Sequence, residues 1–259
     1  MSCSGVLITP DAVATAAHCL VDEAERWVSG DPRLETVRGD QLEARVVNTL
    51  LHPGFDPEAF ATAAPGLGNF DDIGIALLDA PLSTANAIPL ADTESIALRE
   101  STTVAIVGWG SSSAQDFSIG VGQKRCATTT VQELGPFEMQ IGSSGSRKCV
   151  GDSGGPTYLE LPDGRRVVGL ASHAYDAEDC VQGAVDTRVD VYRAWIDTQL
   201  RAACQDGSRG ACDPPGLVTP DSVGDLEGGC SATGPPDSAV ALALLGLALR
   251  FRRGRRLAH

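Results

Sequence analysis

Short runs of β-forming residues, broken about every ten positions by Gly, Pro, Asn or Asp, constrain this chain more than any other feature. Val6–Ile8, Ala44–Leu50, Ile73–Leu78, Thr103–Val107, Ala127–Val131 and Val167–Ser172 are such runs. One stretch has helical periodicity: Tyr192, Trp195, Ile196 and Leu200 recur three or four residues apart and make one apolar face. Strands that follow one another without intervening helices exclude βαβ units and predict an all-β sandwich or barrel over residues 1–203, ending in a helix.

The chain has 259 residues and a formal charge of −14. That length suits one large all-β domain or two small ones. Five Arg lie in the last ten residues; without them, 15 basic residues face 34 acidic ones, a charge of −19. So acidic a body excludes nucleic-acid binding, and no nucleic-acid partner is expected.

Cys3, Cys19, Cys126, Cys149, Cys180, Cys204, Cys212 and Cys230 are dispersed, with no Cys-x-x-Cys pair and no Cys/His spacing that would hold zinc. They predict disulfides and an oxidising compartment, with no metal. The first residues, Met1-Ser2-Cys3-Ser4-Gly5-Val6-Leu7-Ile8, lack the basic start and long apolar core of a signal peptide.

After residue 203 the composition changes. Residues 205–238 hold seven Gly and five Pro and few large apolar side chains, so 204–229 is expected to be a linker in which Cys204 and Cys212 could close a small loop. Residues 230–259 form a third region: Cys230 behind Gly228-Gly229, an apolar run Ala239–Leu249, then an Arg cluster from Arg250 to Arg256. Eleven apolar residues fall short of the roughly 20 that span a bilayer. The layout resembles the C-terminal sorting tails of myxobacterial surface proteins. That resemblance implies a processing and lipid-attachment site at Cys230, and membrane association through the tail.

Three local motifs carry chemistry. In Gly151-Asp152-Ser153-Gly154-Gly155-Pro156, a Ser flanked by glycines lets a substrate carbonyl approach while free N–H groups converge on its oxygen. In Thr15-Ala16-Ala17-His18-Cys19, a His sits beside a Cys that can hold it rigid, as a general base requires. Asp72, at the mouth of the apolar run from Ile73, can be partly buried and orient an imidazole.

In the order His18, Asp72, Ser153, these residues resemble the catalytic set of the trypsin/chymotrypsin family of serine proteases. The likeness runs over about residues 3–203, through Cys3-Ser4-Gly5-Val6-Leu7-Ile8, His52-Pro53, Val107-Gly108-Trp109-Gly110 and Val168-Gly169-Leu170-Ala171-Ser172. It implies two six-stranded antiparallel β-barrels with a C-terminal helix. It implies a monomeric serine endopeptidase acting on protein or peptide substrates through an acyl-enzyme, without cofactors. It further implies an oxyanion hole from Gly151 and Ser153, disulfides Cys3–Cys19 and Cys149–Cys180, a structural His52, and support of Asp72 by Ser172. A catalytically inactive homologue serving as a surface binding module is the alternative. The expected location is the exterior or cell surface of a bacterium.

The chain departs from the family pattern in several places. The family's first strand is expected to be missing, through truncation or a misassigned start codon. With it goes the Ile-Val-Gly-Gly start whose freed amine pairs, in many members, with the Asp before the catalytic Ser, here Asp152. Cys126 is then left odd, or is a buried free thiol. The substrate pocket would comprise Arg147, Ser172, His173, Ala174 and Asp186. At its floor Arg147 stands where cleavage after Lys or Arg requires an acid. Either Arg147 attracts acidic side chains, or it is neutralised by Asp186 or turned out of the pocket, or the alignment is displaced here.

Overall fold

The structure is a computed structural model and describes residues 3–22, 25–29, 43–62, 64–82, 86–94, 96–113, 116–143, 145–176, 180–220 and 250–253. Cys230 and the apolar run Ala239–Leu249 lie outside the described residues.

Strands β1 (Val6–Thr9) and β2 (Ala12–Thr15) form a hairpin in which every strand residue is buried. Strands β3 (Arg26–Ser29), β4 (Glu43–Leu51) and β5 (Gly74–Leu78) join them, and β12 (Arg250–Arg253) pairs antiparallel with β3. The sheet order is β1-β2-β5-β4-β3-β12, a curled half-barrel rather than a closed one. The first four residues of the basic cluster therefore form a sheet edge.

The second sheet closes. Strands β6 (Thr103–Gly108), β7 (Arg125–Leu134), β8 (Glu138–Ile141), β9 (Pro156–Leu161), β10 (Gly164–Ala174) and β11 (Ala184–Arg188) make a barrel in the order β10-β11-β8-β7-β6-β9. Each run picked out by its apolar pattern lies in a strand: β1, β4, β5, β6, β7 or β10. Two helices complete the set, the short α1 (Pro57–Ala61) and the C-terminal α2 (Val189–Gln205). Helix α2 buries Tyr192, Ile196 and Leu200, as its periodicity predicts. One apolar cluster joins Val6, Ile8 and Ile75 of the first sheet to Val107, Tyr158 and Leu170 of the second and to Ile196 and Leu200 of α2. This shared core fixes the two sheets against each other, and the loops between them form the site.

Two polar contacts tie in the loops. Residues 204–220, expected to begin a linker, are held on the body. The Cys204–Cys212 disulfide closes the loop, and Leu217 and Val218 are buried. Arg209 Nε donates to Asp11 Oδ1 at 2.7 Å with both side chains buried, and the Ala211 N–H donates to Asp11 Oδ2 at 2.6 Å. Glu138, at the start of β8, accepts the Gly68 N–H at 2.6 Å and so braces the loop ahead of β5. Burial pushes the Glu138 carboxyl up to about 7; the Gly68 and Phe70 amides oppose this, and the nearby Asp72 and Asp71 charges add to it.

Two outcomes follow from these contacts. Asp11→Ala leaves Arg209 buried without its counter-charge and should cost about 3–5 kcal/mol in chemical denaturation; a loss below about 1 kcal/mol would show that the pair is not structural. Glu138 holds its proton more tightly folded than unfolded, so it stabilises the fold fully below about pH 4.5 and loses that contribution as pH rises through about 7. Glu138→Gln should remove a pH-dependent decline of up to about 3 kcal/mol across that window, read as a flatter profile of melting temperature against pH.

Candidate active site

His18 lies in a single turn of 3-10 helix, Ala17–Cys19, directly after β2. The Cys3–Cys19 disulfide ties that turn to the segment leading into β1. Asp72, just before β5, grips His18 twice. Its Oδ1 accepts the His18 backbone N–H at 2.8 Å and its Oδ2 faces the ring Nδ1 at 2.8 Å. A carboxylate only accepts, so Nδ1 carries the hydrogen, which places the lone pair of a neutral ring on Nε2. The Asp72 side chain is fully buried, whereas that of His18 is 14% exposed. Ser172 Oγ donates to Asp72 Oδ2 at 2.6 Å, and Thr187 Oγ1 donates to the Asp72 carbonyl at 3.1 Å. Burial alone would raise the Asp72 carboxyl, but the His18 charge and the hydrogen bonds from His18 and Ser172 outweigh it and hold the carboxyl below the usual range.

Backbone bonds hold the Ser153 loop beside the segment that is linked to the His18 turn. The Ser4 N–H donates to the Ser153 carbonyl at 2.7 Å and Ser4 Oγ to the Gly151 carbonyl at 3.2 Å. The Gly154 N–H donates to the Ala171 carbonyl at 2.6 Å. Cys19 Sγ lies 3.6 Å from His18 Nε2 and 3.8 Å from the Ser153 carbonyl oxygen. The segment disulfide-linked to the His18 turn is thus the one that holds the Ser153 loop. Gly154 is required here: its φ is +76°, and a Cβ would lie 2.0 Å from Thr15 Oγ1 and 2.4 Å from the Ser4 carbonyl. Among the described residues, neither the Gly151 nor the Ser153 N–H donates to a protein acceptor.

Asp152 is buried inside the loop, with Oδ1 accepting the Gly110 N–H at 2.7 Å and Oδ2 the Cys149 N–H at 2.9 Å. Burial raises its carboxyl, opposed by those two amides and by the charges of Lys148 and Arg125. Asp152, Cys149, Lys148 and Arg125 line a cavity of about 510 Å³ that also reaches Arg147, Cys180 and Val181. Cys126, expected to be odd or a free thiol, is disulfide-bonded.

Of the arrangements expected for Arg147, pairing with Asp186 is absent and the turned-out one is present. Its guanidinium turns outward and donates to the Val181 carbonyl. Lys148 turns inward instead: its Nζ donates to Asp186 Oδ2 at 2.7 Å and to the Gly155 carbonyl at 2.8 Å, with both side chains essentially inaccessible. The physical reason is that Asp186 is fully buried, and only the residue facing the interior can reach it. Cys149–Cys180 is bonded as the resemblance implies. His173 donates from Nε2 to the Gly66 carbonyl at 3.3 Å and contacts Ser172 Oγ through Nδ1 at 3.2 Å; burial lowers its pKa. Ala174 ends β10, paired with Ala184. His52 makes edge contacts with Tyr192 and Trp195, in keeping with a structural role.

Two aromatic residues escaped the sequence reading. Phe60 stacks on the His18 ring with centroids 5.1 Å apart, and Phe70 and His173 close around it edge-on. A signal existed: Asp56 caps α1 through the Glu58 and Ala59 amides and Pro57 starts it, which fixes Phe60 one turn later.

A family model described as Trypsin matches residues 1–196. The human "Serine protease 56" is 28% identical over 222 residues, 78% of this chain but 35% of the relative. "Serine protease filzig" of Drosophila melanogaster is 26% identical over 75% of this chain and 12% of its own length, so the chain spans about a third or less of these relatives. A "Trypsin" from Saccharopolyspora erythraea is 27% identical over 77% of this chain and 87% of its own length. Among solved structures, mouse neuropsin, described as a serine protease expressed in the limbic system of mouse brain, superposes with a TM-score of 0.61. It is 24% identical over 76% of this chain and 88% of its own, which establishes the shared fold. Matched by the family model over most of its length, with a barrel, half-barrel and helix in the family's arrangement, the chain belongs to the trypsin family.

Proposed function

We propose that the chain is a serine endopeptidase in which His18, Asp72 and Ser153 act together. The observation that carries this reading is the double grip of buried Asp72 on His18, on the disulfide-linked segment that also holds the Ser153 loop. Ser153 Oγ attacks the scissile carbonyl carbon and passes its proton to His18 Nε2. Asp72 keeps Nδ1 protonated and stabilises the imidazolium without taking its proton. The Gly151 and Ser153 N–H groups hold the oxyanion. His18 returns the proton to the leaving amine, and the C–N bond breaks to give the acyl-enzyme. Water then enters by the same route in reverse and regenerates the Ser153 hydroxyl.

The disulfides fit an oxidising compartment, and export from a bacterium is part of this proposal. Attachment through the tail is also proposed, supported by the Gly228-Gly229-Cys230 layout. Among the described residues no helix is long and apolar enough to cross a membrane.

Ser153→Ala should lower kcat for a protein substrate by about 10⁶-fold with an unchanged melting temperature. Residual activity within tenfold of wild type would sink the mechanism, and an inactive wild type would favour the binding-module alternative. Asp72→Asn should keep the shape but present an amide that favours the wrong tautomer, lowering kcat about 10⁴-fold. A drop of less than tenfold would remove Asp72 from the account.

A further inference from the structure

We infer that Lys148 excludes basic side chains from the substrate pocket by occupying the acid that would read them, so that cleavage follows non-basic residues. This rests on the serine-endopeptidase reading and adds its substrate class. Lys148 lies five residues before Ser153 in the same loop, and Asp186 lies in β11, paired with Ala171 of β10, one residue before Ser172-His173-Ala174. A carboxylate buried among Thr157, Met139 and Gly169 recruits any cation that can reach it. Lys148 reaches it from the chain itself. Its ammonium donates to Asp186 Oδ2 and the Gly155 carbonyl, the bonds that a substrate lysine would make to an acid and a carbonyl at the base of a pocket.

A second cation would therefore meet an acid already neutralised. It would also pass Arg147, whose guanidinium has the Val181 carbonyl for a partner and borders the cavity that Lys148 lines. Asp186 Oδ1 is buried and has no hydrogen-bond partner among the described residues. The carboxylate thus keeps capacity for a donor once the Lys148 ammonium is removed, and the space left is the length of a lysine side chain.

The test digests a peptide library of all residue types, with the active enzyme counted by fluorophosphonate labelling of Ser153. Wild type should cut after Lys or Arg at least tenfold less often than after uncharged residues. Lys148→Ala should raise cleavage after Lys and Arg at least tenfold per labelled enzyme, and Lys148→Ala/Asp186→Leu should abolish that gain. Frequent cleavage after Lys or Arg by labelled wild type would overturn the inference by itself, even if the variants fail to fold. A folded, labelled Lys148→Ala with no gain would overturn it too. An unlabelled Ser153 in wild type would instead overturn the endopeptidase reading beneath it.

Discussion

Everything at the site depends on one buried carboxylate. Asp72 has no contact with solvent, and it is held there by four donors from three places in the chain: the His18 amide, the His18 ring, Ser172 of β10 and, through its carbonyl, Thr187 of β11. Those donors sit on the turn that follows β2 of the half-barrel and on two strands of the barrel. A charge buried in this way is tolerated only while all its partners stay in register, so the half-barrel and the barrel must meet in one relative position. The shared core from Val6 to Leu200 provides that position, and the Cys3–Cys19 bond keeps the His18 turn from drifting out of it.

The second barrel repeats the solution at a different place. Asp186 is as buried as Asp72, but its partner is a cation rather than an imidazole. Burial works to lower the Lys148 pKa, and Asp186 opposes it through both charge and hydrogen bonding. Asp152, in the loop between them, is held by backbone amides instead. Three buried acids within one site thus have three kinds of partner, and only that of Asp72 has a ring nitrogen free on its far side.

The three residues of the proposed triad could be picked out because each has a local signal: a His beside a Cys, an Asp at the mouth of an apolar strand, a Ser among glycines. The long apolar strands were legible for the same reason. Lys148 was not. Whether it or Arg147 faces inward depends on the path of an irregular loop, and Asp186 lies 38 residues further on. Nor was the docking of residues 204–220. Gly and Pro there do rule out long elements, yet the loop is anchored by Arg209 meeting Asp11 198 residues away, together with the Cys204–Cys212 bond and buried Leu217 and Val218. Strands β2, β8, β9 and β11 are short and carry no clean alternation: β2 is buried at every position, and β11 carries a buried Asp186 in its middle. The half-barrel's outer strand comes from an Arg-rich segment far along the chain, where composition gives no strand signal.

The central claim is that Ser153 is an activated nucleophile because His18 Nε2 is held ready as its base. Reaction of the wild-type protein with a fluorophosphonate probe, followed by peptide mapping, measures that property directly. The account predicts stoichiometric label on Ser153 and its loss in His18→Ala. No label on Ser153 in the folded wild-type protein, or equal labelling of scattered serines, would contradict it.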